Sequence, residues 1–350
     1  MPSSLPNQLG LSLPLIQGPM TGSDSPALAA AVSAGGGLGS LGCGMRSPQA
    51  MREAAAAVRA QTDRPFAMNL FVQATPEPDA ASLQQAMQRL APLYARFGAE
   101  PTLPAQWCED FVQQLDALIE CRPAVASFTF GILSAEQVQR LHAAGCQVWG
   151  TATTVAEALA WQTVGADAVV ASGCEAGGHR GTFLADYASS MVSTLPLVRD
   201  CVLQLQVPVI AAGGIMDGAG MAAALALGAQ AVQMGTAFLV CPESAINAAY
   251  RAALASAKAT DTVTTRTISG RPARGIRNAM INALEPQEAD IPAYPVQNAL
   301  TGALRKLAGA AGDAQYLSLW AGQGVAQARA LPAAQLLQQL KQEWLAAGAQ

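Results

Sequence analysis

The sequence predicts an α/β fold made of eight strand–helix units. Short apolar runs recur along roughly the first two thirds of the chain, and each is followed by a small-residue turn and an alanine-rich stretch. Because these runs are continuously apolar rather than alternating, they are typical of strands buried on both faces of a parallel sheet. Eight such units make a TIM (β/α)8 barrel the leading prediction. A doubly wound sheet is the alternative, since repetition alone does not prove that the sheet closes.

Eight runs supply the predicted strands. They are LPLIQ (13–17), GLGSL (37–41), FAMNL (66–70), VASFTF (125–130), QVWGTA (147–152), AVVASG (168–173), PVIAAGG (208–214) and AVQMGTA (231–237). Several begin roughly 20–30 residues apart, which is the length of one strand–helix unit.

Helix-start residues lie between the predicted strands. Ser25 is a candidate N-cap for the stretch SPALAAAVSAGG, with Pro26 at the first helical position, where its missing N–H costs nothing. Ser134 begins the predicted helix SAEQVQRLHAAG, and Thr153 or Thr154 begins the predicted helix VAEALAWQTVG. Both of these stretches end at a glycine, as helices commonly do.

The pattern changes after the eighth unit, and we expect three segments. Residues 1–242 form the barrel. Residues 243–315 form a mainly helical cap over the barrel mouth, with an alanine-rich helix (Ala245–Lys258), the stretch TVTTRTISGRPARGIRN and a proline-rich stretch. Residues 316–350, which contain LWAGQG and an amphipathic helix (Ala333–Ala346), return to the barrel.

Composition favours a cytoplasmic enzyme. The chain is 51% hydrophobic and 13% charged, which predicts a large core rather than disorder. A net charge of −4 without a Lys/Arg run argues against nucleic acid or an anionic membrane surface as partner. Seven scattered cysteines without a CxxC pair suit a reducing compartment better than a disulfide framework or a zinc site. Neither a signal peptide nor a membrane span is predicted.

Two glycine-containing loops are candidates for binding a phosphate. In TIM barrels the functional residues lie at the C-terminal ends of the strands, and the loops after strands seven and eight commonly bind phosphate through backbone N–H groups. Here these loops contain Gly213 and Gly214 after strand seven and Gln233–Thr236 after strand eight. The alternative is that these glycines only form tight turns.

The stretch SGCEAGGHRG (172–181), after strand six, is the candidate for proton transfer. Gly177 and Gly178 leave room for a flat ring or a phosphate beside His179, and histidine is the usual proton-transfer side chain near neutral pH. The alternative is a loop histidine bonded to backbone. The other histidine, His142, is predicted on a solvated helix position, and no metal-ligand cluster is recognisable.

Several other residues, near strand ends and in the predicted cap, are candidates for either a binding role or a structural role. Met20 and Asn69 close strands one and three, and an asparagine there either contacts a heteroaromatic ring or caps a turn. Glu175 pairs with Arg180 or with a backbone N–H, which is a structural role. The basic segment 266–277 either holds an anionic substrate or forms ion pairs between cap and barrel.

Taken together, eight motifs resemble the nitronate monooxygenase family, formerly the 2-nitropropane dioxygenases. They are PLIQGPM, PFAMNLF, CEAGGHRGTF, IAAGGI, QMGTAFL, SGRPARGIRN, YPVQN and LWAGQG, and they cover most of the chain in a specific order and spacing.

The resemblance implies a TIM barrel with non-covalent FMN, no bound metal and no use of NAD(P)H. It implies oxidation of alkyl nitronates, propionate 3-nitronate among them, with O2 to nitrite and an aldehyde or keto product. His179 is then the base for a neutral nitroalkane or the hydrogen-bond partner of the nitronate. The implied FMN contacts are Met20, Asn69, Thr151, Ser172, Gly177, Gly178, Gly213, Gly214, Gln233, Met234, Gly235 and Thr236.

Ser172 stands where the family often has glutamine, so the flavin-ring contact there departs from the family pattern. The expected partners are a small nitronate or nitroalkane and O2, with the protein a monomer or homodimer.

Two rivals remain at the level of sequence. One is an FMN-dependent enoyl-thioester reductase that uses NAD(P)H, which also carries an AGGH loop. Arg180 and the late motifs YPVQN and LWAGQG favour the monooxygenase. The other is a flavin- or phosphate-binding barrel without turnover, against which the intact His179 and the uninterrupted cap argue.

Overall fold

All eight predicted strands lie in one parallel sheet in the computed structural model, which describes residues 4–348. The strands are Leu15–Gln17, Gly39–Gly42, Phe66–Phe71, Val125–Thr129, Gln147–Ala152, Ala168–Ser172, Val209–Ala212 and Ala231–Met234. The first strand pairs with the eighth, and a parallel bridge from Ile16 to Leu38 joins it to the second, so the sheet closes. The prediction of a TIM (β/α)8 barrel is confirmed. Residues 1–3 and 349–350, at the ends of two predicted segments, lie outside the described part.

The helices alternate with these strands and continue into the cap. The α-helices are Leu5–Gln8, Pro26–Ala34, Pro48–Arg59, Ala80–Ala95, Phe111–Cys121, Ala135–Ala143, Val155–Thr163, Thr194–Gln204, Gly218–Ala226, Thr236–Leu239, Ala248–Ser256, Ala279–Leu284, Val296–Leu300, Gly302–Ala310 and Ala333–Gly348. Short 3-10 turns lie at Ala259–Asp261, Glu285–Asp290, Ala314–Tyr316 and Val325–Gln327.

The predicted helix starts have physical caps. The Ser25 side chain accepts a hydrogen bond from the Leu28 amide, and Pro26 occupies the first turn. Ser134 forms a reciprocal capping box with Gln137, which satisfies two amides at once. Of the two threonines left open by the sequence, Thr154 is the cap of its helix.

The barrel has one closed end and one open end. Ile16, Trp149 and Ile210 fill its interior, and Leu5 of the first short helix packs against the same cluster. The Leu5 amide donates to Gln230, directly before strand eight, so this helix covers the N-terminal ends of the strands. Only the C-terminal ends remain available for a cavity.

The last helix completes the ring around the barrel. Ala333–Gly348 packs beside Pro26–Ala34 and Gly218–Ala226, with Leu336 and Leu340 buried in the core between helices and sheet. The Gly218 amide donates to the Glu343 carboxylate at 3.0 Å. This packing supports the proposal that residues 316–350 return to the barrel.

The cap is mainly helical, but the threonine- and arginine-rich stretch forms a β-hairpin rather than a helix. Its strands Thr262–Thr265 and Ala273–Ile276 are antiparallel. Gly178–His179, from the loop after barrel strand six, adds a third strand opposite Ala273 and Arg274. This pairing joins residues almost a hundred positions apart, which no local pattern could predict.

One helix that the sequence assigns to the barrel packs in the cap. Leu90 and Tyr94 of Ala80–Ala95 lie in one cluster with cap residues that include Ile281 and Leu304. The Tyr94 hydroxyl donates to the Leu300 carbonyl at 2.6 Å. We therefore propose that the cap consists of residues 243–315 together with Ala80–Ala95.

Candidate active site

A cavity of about 430 Å³ lies between the C-terminal ends of the barrel strands and the cap. This volume falls within the range of roughly 300–1,000 Å³ that is usual for sites of small ligands and cofactors. Twelve of the thirteen residues singled out by sequence line it. They are Met20, Asn69, Thr151, Ser172, Gly177, Gly178, His179, Gly213, Gly214, Gln233, Gly235 and Thr236.

Met234 is the exception, because its side chain does not line the cavity. The side chain is 1% exposed and packs in the core between sheet and helices. Successive side chains of a strand point to opposite faces, so with Gln233 lining the cavity, Met234 faces away. Its carbonyl accepts from the Gly18 amide at 2.8 Å and stabilises the turn after strand one.

The turn after strand seven requires glycine. Gly213 and Gly214 have φ angles of +116° and +71°, in the region that side chains disfavour. Thr194 Oγ1 lies 2.8 Å from Glu175 Oε2 and 3.0 Å from the Gly213 carbonyl oxygen. These side chains therefore stabilise the turn. This leaves bare main chain on the cavity side.

Gly177 and Gly235 show two different uses of a missing side chain. A Cβ at Gly177 would lie 2.5 Å from the Ala321 carbonyl carbon and the Gly322 amide, so the two backbones are in direct contact. A Cβ at Gly235 would meet nothing nearer than the Met20 sulfur at 4.0 Å. Gly235 therefore faces open cavity, where a bound group can approach the backbone closely.

His179 lies on the cavity wall and is held by the cap hairpin. Its Nε2 is 2.9 Å from Ser269 Oγ, which is 3.1 Å from the Arg271 carbonyl oxygen. Because a carbonyl only accepts, the single hydroxyl proton of Ser269 goes to Arg271 and His179 Nε2–H donates to Ser269. In this tautomer Nδ1 carries the free lone pair.

Three aromatic rings surround the imidazole. The rings of Phe130, Tyr294 and Trp320 have centroids 5.5, 5.3 and 5.4 Å from that of His179. Burial, together with the guanidinium charges of Arg271 and Arg305, lowers the pKa of His179 to about 3. The imidazole is therefore neutral at physiological pH.

The basic segment 266–277 supports the site from outside the cavity. Arg271 donates to the carbonyls of Arg180 and Thr182, and its guanidinium lies 4.2 Å from the Phe130 ring centroid. Arg274 donates to the Cys174 carbonyl at 3.0 Å. None of the segment's arginines lines the cavity, and the acceptors of these three hydrogen bonds are neutral backbone carbonyls.

Neighbouring polar residues have structural partners. Glu175 accepts from the Thr194 amide at 3.0 Å rather than from Arg180, which donates to the carbonyls of Ser172 and Ser190. His142 pairs with Asp167 at 2.8 Å on the surface.

Within residues 4–348, no group of three or more His, Cys, Asp or Glu could hold a metal ion, and no helix is long and apolar enough to cross a membrane.

Sequence reasoning missed what the cap and the segment that follows it contribute to the cavity. Tyr294 and Trp320 lie in YPVQN and LWAGQG, motifs that carried the resemblance without any role for a side chain. Tyr250 donates to the Trp320 carbonyl at 2.5 Å and fixes that segment. Arg305 lies in GALRKLAGA, where nothing in the sequence distinguishes it from an ordinary surface arginine.

Comparison of this chain with protein-family models, with curated proteins and with solved structures gives mutually consistent matches. The family model "Nitronate monooxygenase" matches residues 3–343. A nitronate monooxygenase of Pseudomonas aeruginosa is 47% identical, with 96% of this chain and 97% of the relative covered. Among solved structures, nitroalkane oxidase from Streptomyces ansochromogenes superposes with a TM-score of 0.91 at 39% identity, covering 98% of both chains. FabK from Thermotoga maritima superposes with a TM-score of 0.77 at 29% identity, covering 99% and 97%.

Proposed function

This chain belongs to the nitronate monooxygenase family, and we propose that it uses FMN to oxidise alkyl nitronates with O2, giving nitrite and an aldehyde or keto product. The observation that carries the proposal is the composition of one cavity. A neutral His179 faces it from one loop, and glycine main chain faces it from two others. The protein is on this basis a flavin-dependent oxidoreductase.

The residues present fit a flavin mononucleotide. Gly235 offers a cradle open to the cavity, and the turn at Gly213 and Gly214 has bare main chain, as a phosphate site after barrel strands seven and eight requires. The remaining lining residues proposed from sequence would contact the ring and ribityl chain: Met20, Asn69, Thr151, Ser172, Gly177, Gly178, Gln233 and Thr236. When bound, FMN supplies the electron-transfer chemistry between nitronate and O2.

His179 then has a role that depends on the substrate's protonation state. With a neutral nitroalkane, Nδ1 accepts the proton from the carbon next to the nitro group. With a preformed nitronate no proton must be removed, and the imidazole serves as a hydrogen-bonding partner. The aromatic wall of Phe130, Tyr294 and Trp320 excludes water from this end of the cavity.

We propose that the reaction takes place in the cytoplasm and that the protein is a monomer or homodimer. It binds a small nitronate or nitroalkane and O2. All seven cysteines are free thiols, as expected in a reducing compartment.

One assay separates this function from its rival. Purified protein should contain FMN, identified by chromatography after heat release, and should consume O2 and release nitrite from ethylnitronate and propionate 3-nitronate. NADH alone should leave the flavin oxidised. A protein that gains no flavin on incubation contradicts the proposal, and rapid bleaching by NADH or NADPH would favour the enoyl-thioester reductase.

A further inference from the structure

A buried acid lies behind one wall of the cavity, and the reaction proposed above gives it no role. Asp24 is 3% exposed and directly follows the segment 18–23, all of which lines the cavity after strand one. Its Oδ2 accepts from the Met20 amide at 2.9 Å, and the Met20 carbonyl accepts from the amides of Ser23 and Asp24 at 2.7 and 2.9 Å. The carboxylate therefore closes the cavity-lining segment into a compact turn, which we call the Met20 turn.

The same carboxylate joins the Met20 turn to the loop after strand two. Asp24 Oδ2 also accepts from the Gly42 amide at 2.6 Å, and Oδ1 accepts from Arg46 Nη2 at 2.9 Å. The two backbones are in direct contact, because a Cβ at Gly42 would lie 2.5 Å from the Thr21 amide nitrogen. Asp24 thus connects the C-terminal ends of two adjacent barrel strands.

The Met20 turn fixes two parts of the cavity wall. The Met20 sulfur is the atom that a Cβ at Gly235 would meet, at 4.0 Å, so Met20 borders the open space that we propose for FMN. The Ser23 carbonyl accepts from the Ala245 amide at 2.9 Å, and Ala245 also lines the cavity. A displacement of the turn would therefore move both Met20 and the start of the cap.

Only the ionised form of Asp24 matches its surroundings. The described hydrogen bonds to its two oxygens all come from N–H donors, namely the amides of Met20 and Gly42 and the guanidinium of Arg46. A protonated carboxyl would find no acceptor among these partners. An asparagine would have the same mismatch, because one end of its side chain carries two N–H donors.

This ionisation falls in mild acid. Burial outweighs the effects of Arg46 and the two amides and raises the pKa of Asp24 to about 6. Burial also raises the pKa of the nearby Cys43 thiol to about 12, and the Arg46 guanidinium is charged throughout this range. Glu243, at the start of the cap, accepts with its carboxylate from the Ala333 amide rather than facing Asp24. Among these groups, Asp24 is therefore the one whose charge changes around pH 6.

From these contacts we infer that Asp24 is a positioning residue for the cofactor, whose carboxylate holds the Met20 turn in the conformation that binds FMN. The inference rests on the proposed function, because it assumes that FMN lies beside Met20 and Gly235. Loss of the carboxylate charge releases the turn from the strand-two loop. Flavin affinity is consequently complete above pH 7 and declines as pH falls through about 6, since an acid is protonated below its pKa.

The test measures how pH changes the retention of FMN. Holoenzyme is diluted in steps between pH 7.5 and 5, and the fluorescence of released FMN gives the dissociation constant. At pH 5 about one Asp24 in ten stays ionised, so the wild-type constant should rise about 10-fold. Asp24→Asn should bind FMN about 10-fold more weakly at pH 7.5. It should show no further loss from this residue.

Two further variants separate a titration from a structural defect. Arg46→Met removes the charge that lowers the pKa of Asp24, so the midpoint of the pH profile should move to higher pH. The exposed Asp63→Asn is the matched control and should follow the wild-type curve. The FMN phosphate also titrates near pH 6, but it does so in every protein, and the difference between the curves isolates Asp24.

Parallel profiles for wild type and Asp24→Asn, or an unmoved midpoint in Arg46→Met, overturn the inference. Should Asp24→Asn not fold, as judged by circular dichroism, Arg46→Met carries the comparison. Failure of wild type to retain FMN at pH 7.5 would instead contradict the proposed function.

Nuclear magnetic resonance of methyl-labelled methionine decides the inference in that case. The Met20 methyl resonance, assigned with Met20→Leu, should titrate near pH 6 in wild type and not in Asp24→Asn. A Met20 resonance that does not titrate near pH 6 in wild type would show that Asp24 does not position the turn.

Discussion

His179 Nε2 lies 2.9 Å from Ser269 Oγ, and this contact joins a barrel loop to the cap hairpin. The two residues are ninety positions apart in the chain and meet because Gly178–His179 pairs with the strand Ala273–Ile276. Since the Ser269 hydroxyl donates to the Arg271 carbonyl, the contact selects the tautomer in which His179 Nδ1 is the acceptor.

Ser269→Ala should therefore impair turnover without loss of flavin. Without the hydroxyl, His179 loses its orientation and Nε2–H loses its partner. We expect kcat for nitroethane to fall about 10-fold, the equivalent of one net hydrogen bond. Steady-state nitrite release checks this, with bound flavin measured by absorbance. The exposed cap serine Ser256→Ala is the control, and a matching loss there would show that the effect is not specific.

His179→Asn should distinguish neutral substrates from nitronates. Removing the proton acceptor should lower turnover of nitroethane by roughly 10²- to 10⁴-fold, the range for general-base catalysis. Ethylnitronate, which is already deprotonated, should lose much less. Nitrite release from both substrates at equal flavin content is the measurement. Unchanged rates with nitroethane would remove His179 from the role of base.

The low pKa of His179 predicts a stability loss in mild acid. The unfolded chain binds a proton near its ordinary pKa of 6.5, whereas the folded chain does so only near pH 3. Stability contributed by the neutral imidazole is thus complete above pH 6.5 and declines as pH falls toward 3. By linkage the loss amounts to about 2 kcal/mol at pH 5.

Urea unfolding of wild type and His179→Asn between pH 7.5 and 5 measures this loss. Asparagine does not titrate, so the variant should show a flatter decline, and the difference between the two curves isolates His179 from other groups. Parallel curves would contradict the prediction.

A comparison of Gly214→Ala with Gly312→Ala should separate the effect of backbone strain from an effect on flavin binding. Gly214 (φ +71°) and Gly312 (φ +67°) have the same left-handed conformation, but only Gly214 lines the cavity. Each alanine should cost about 1–2 kcal/mol of unfolding free energy. Only Gly214→Ala should also weaken FMN retention, as measured by fluorescence of released flavin during dialysis. Equal retention in both variants would argue against a cofactor site at this turn.

The barrel was largely predictable because its signals are local. An apolar run such as AVVAS, bounded by helix caps and glycines, encodes a buried parallel strand within a few residues, and all eight such runs form the sheet. Ser25 and Ser134 act as caps for the same reason, since a cap bonds an amide only three residues away. The sequence predicted a mainly helical cap and did not predict the three-stranded sheet formed by the hairpin at 262–276 with Gly178–His179. The third strand comes from a barrel loop more than eighty residues earlier in the chain, so no local pattern indicates the pairing.

By itself the sequence determined the eight buried strands, the glycine turns and the presence of His179 beside them, because strand burial, φ and chain order are properties of short segments; closure of the sheet was left open. Only the tertiary structure decided which side chains share one cavity. It placed the Met234 side chain in the core, brought Tyr294 and Trp320 against His179, and put Arg305 in the same cavity as the glycine loops. These relationships depend on how the cap packs on the barrel, and such long-range packing leaves no periodic trace in the sequence.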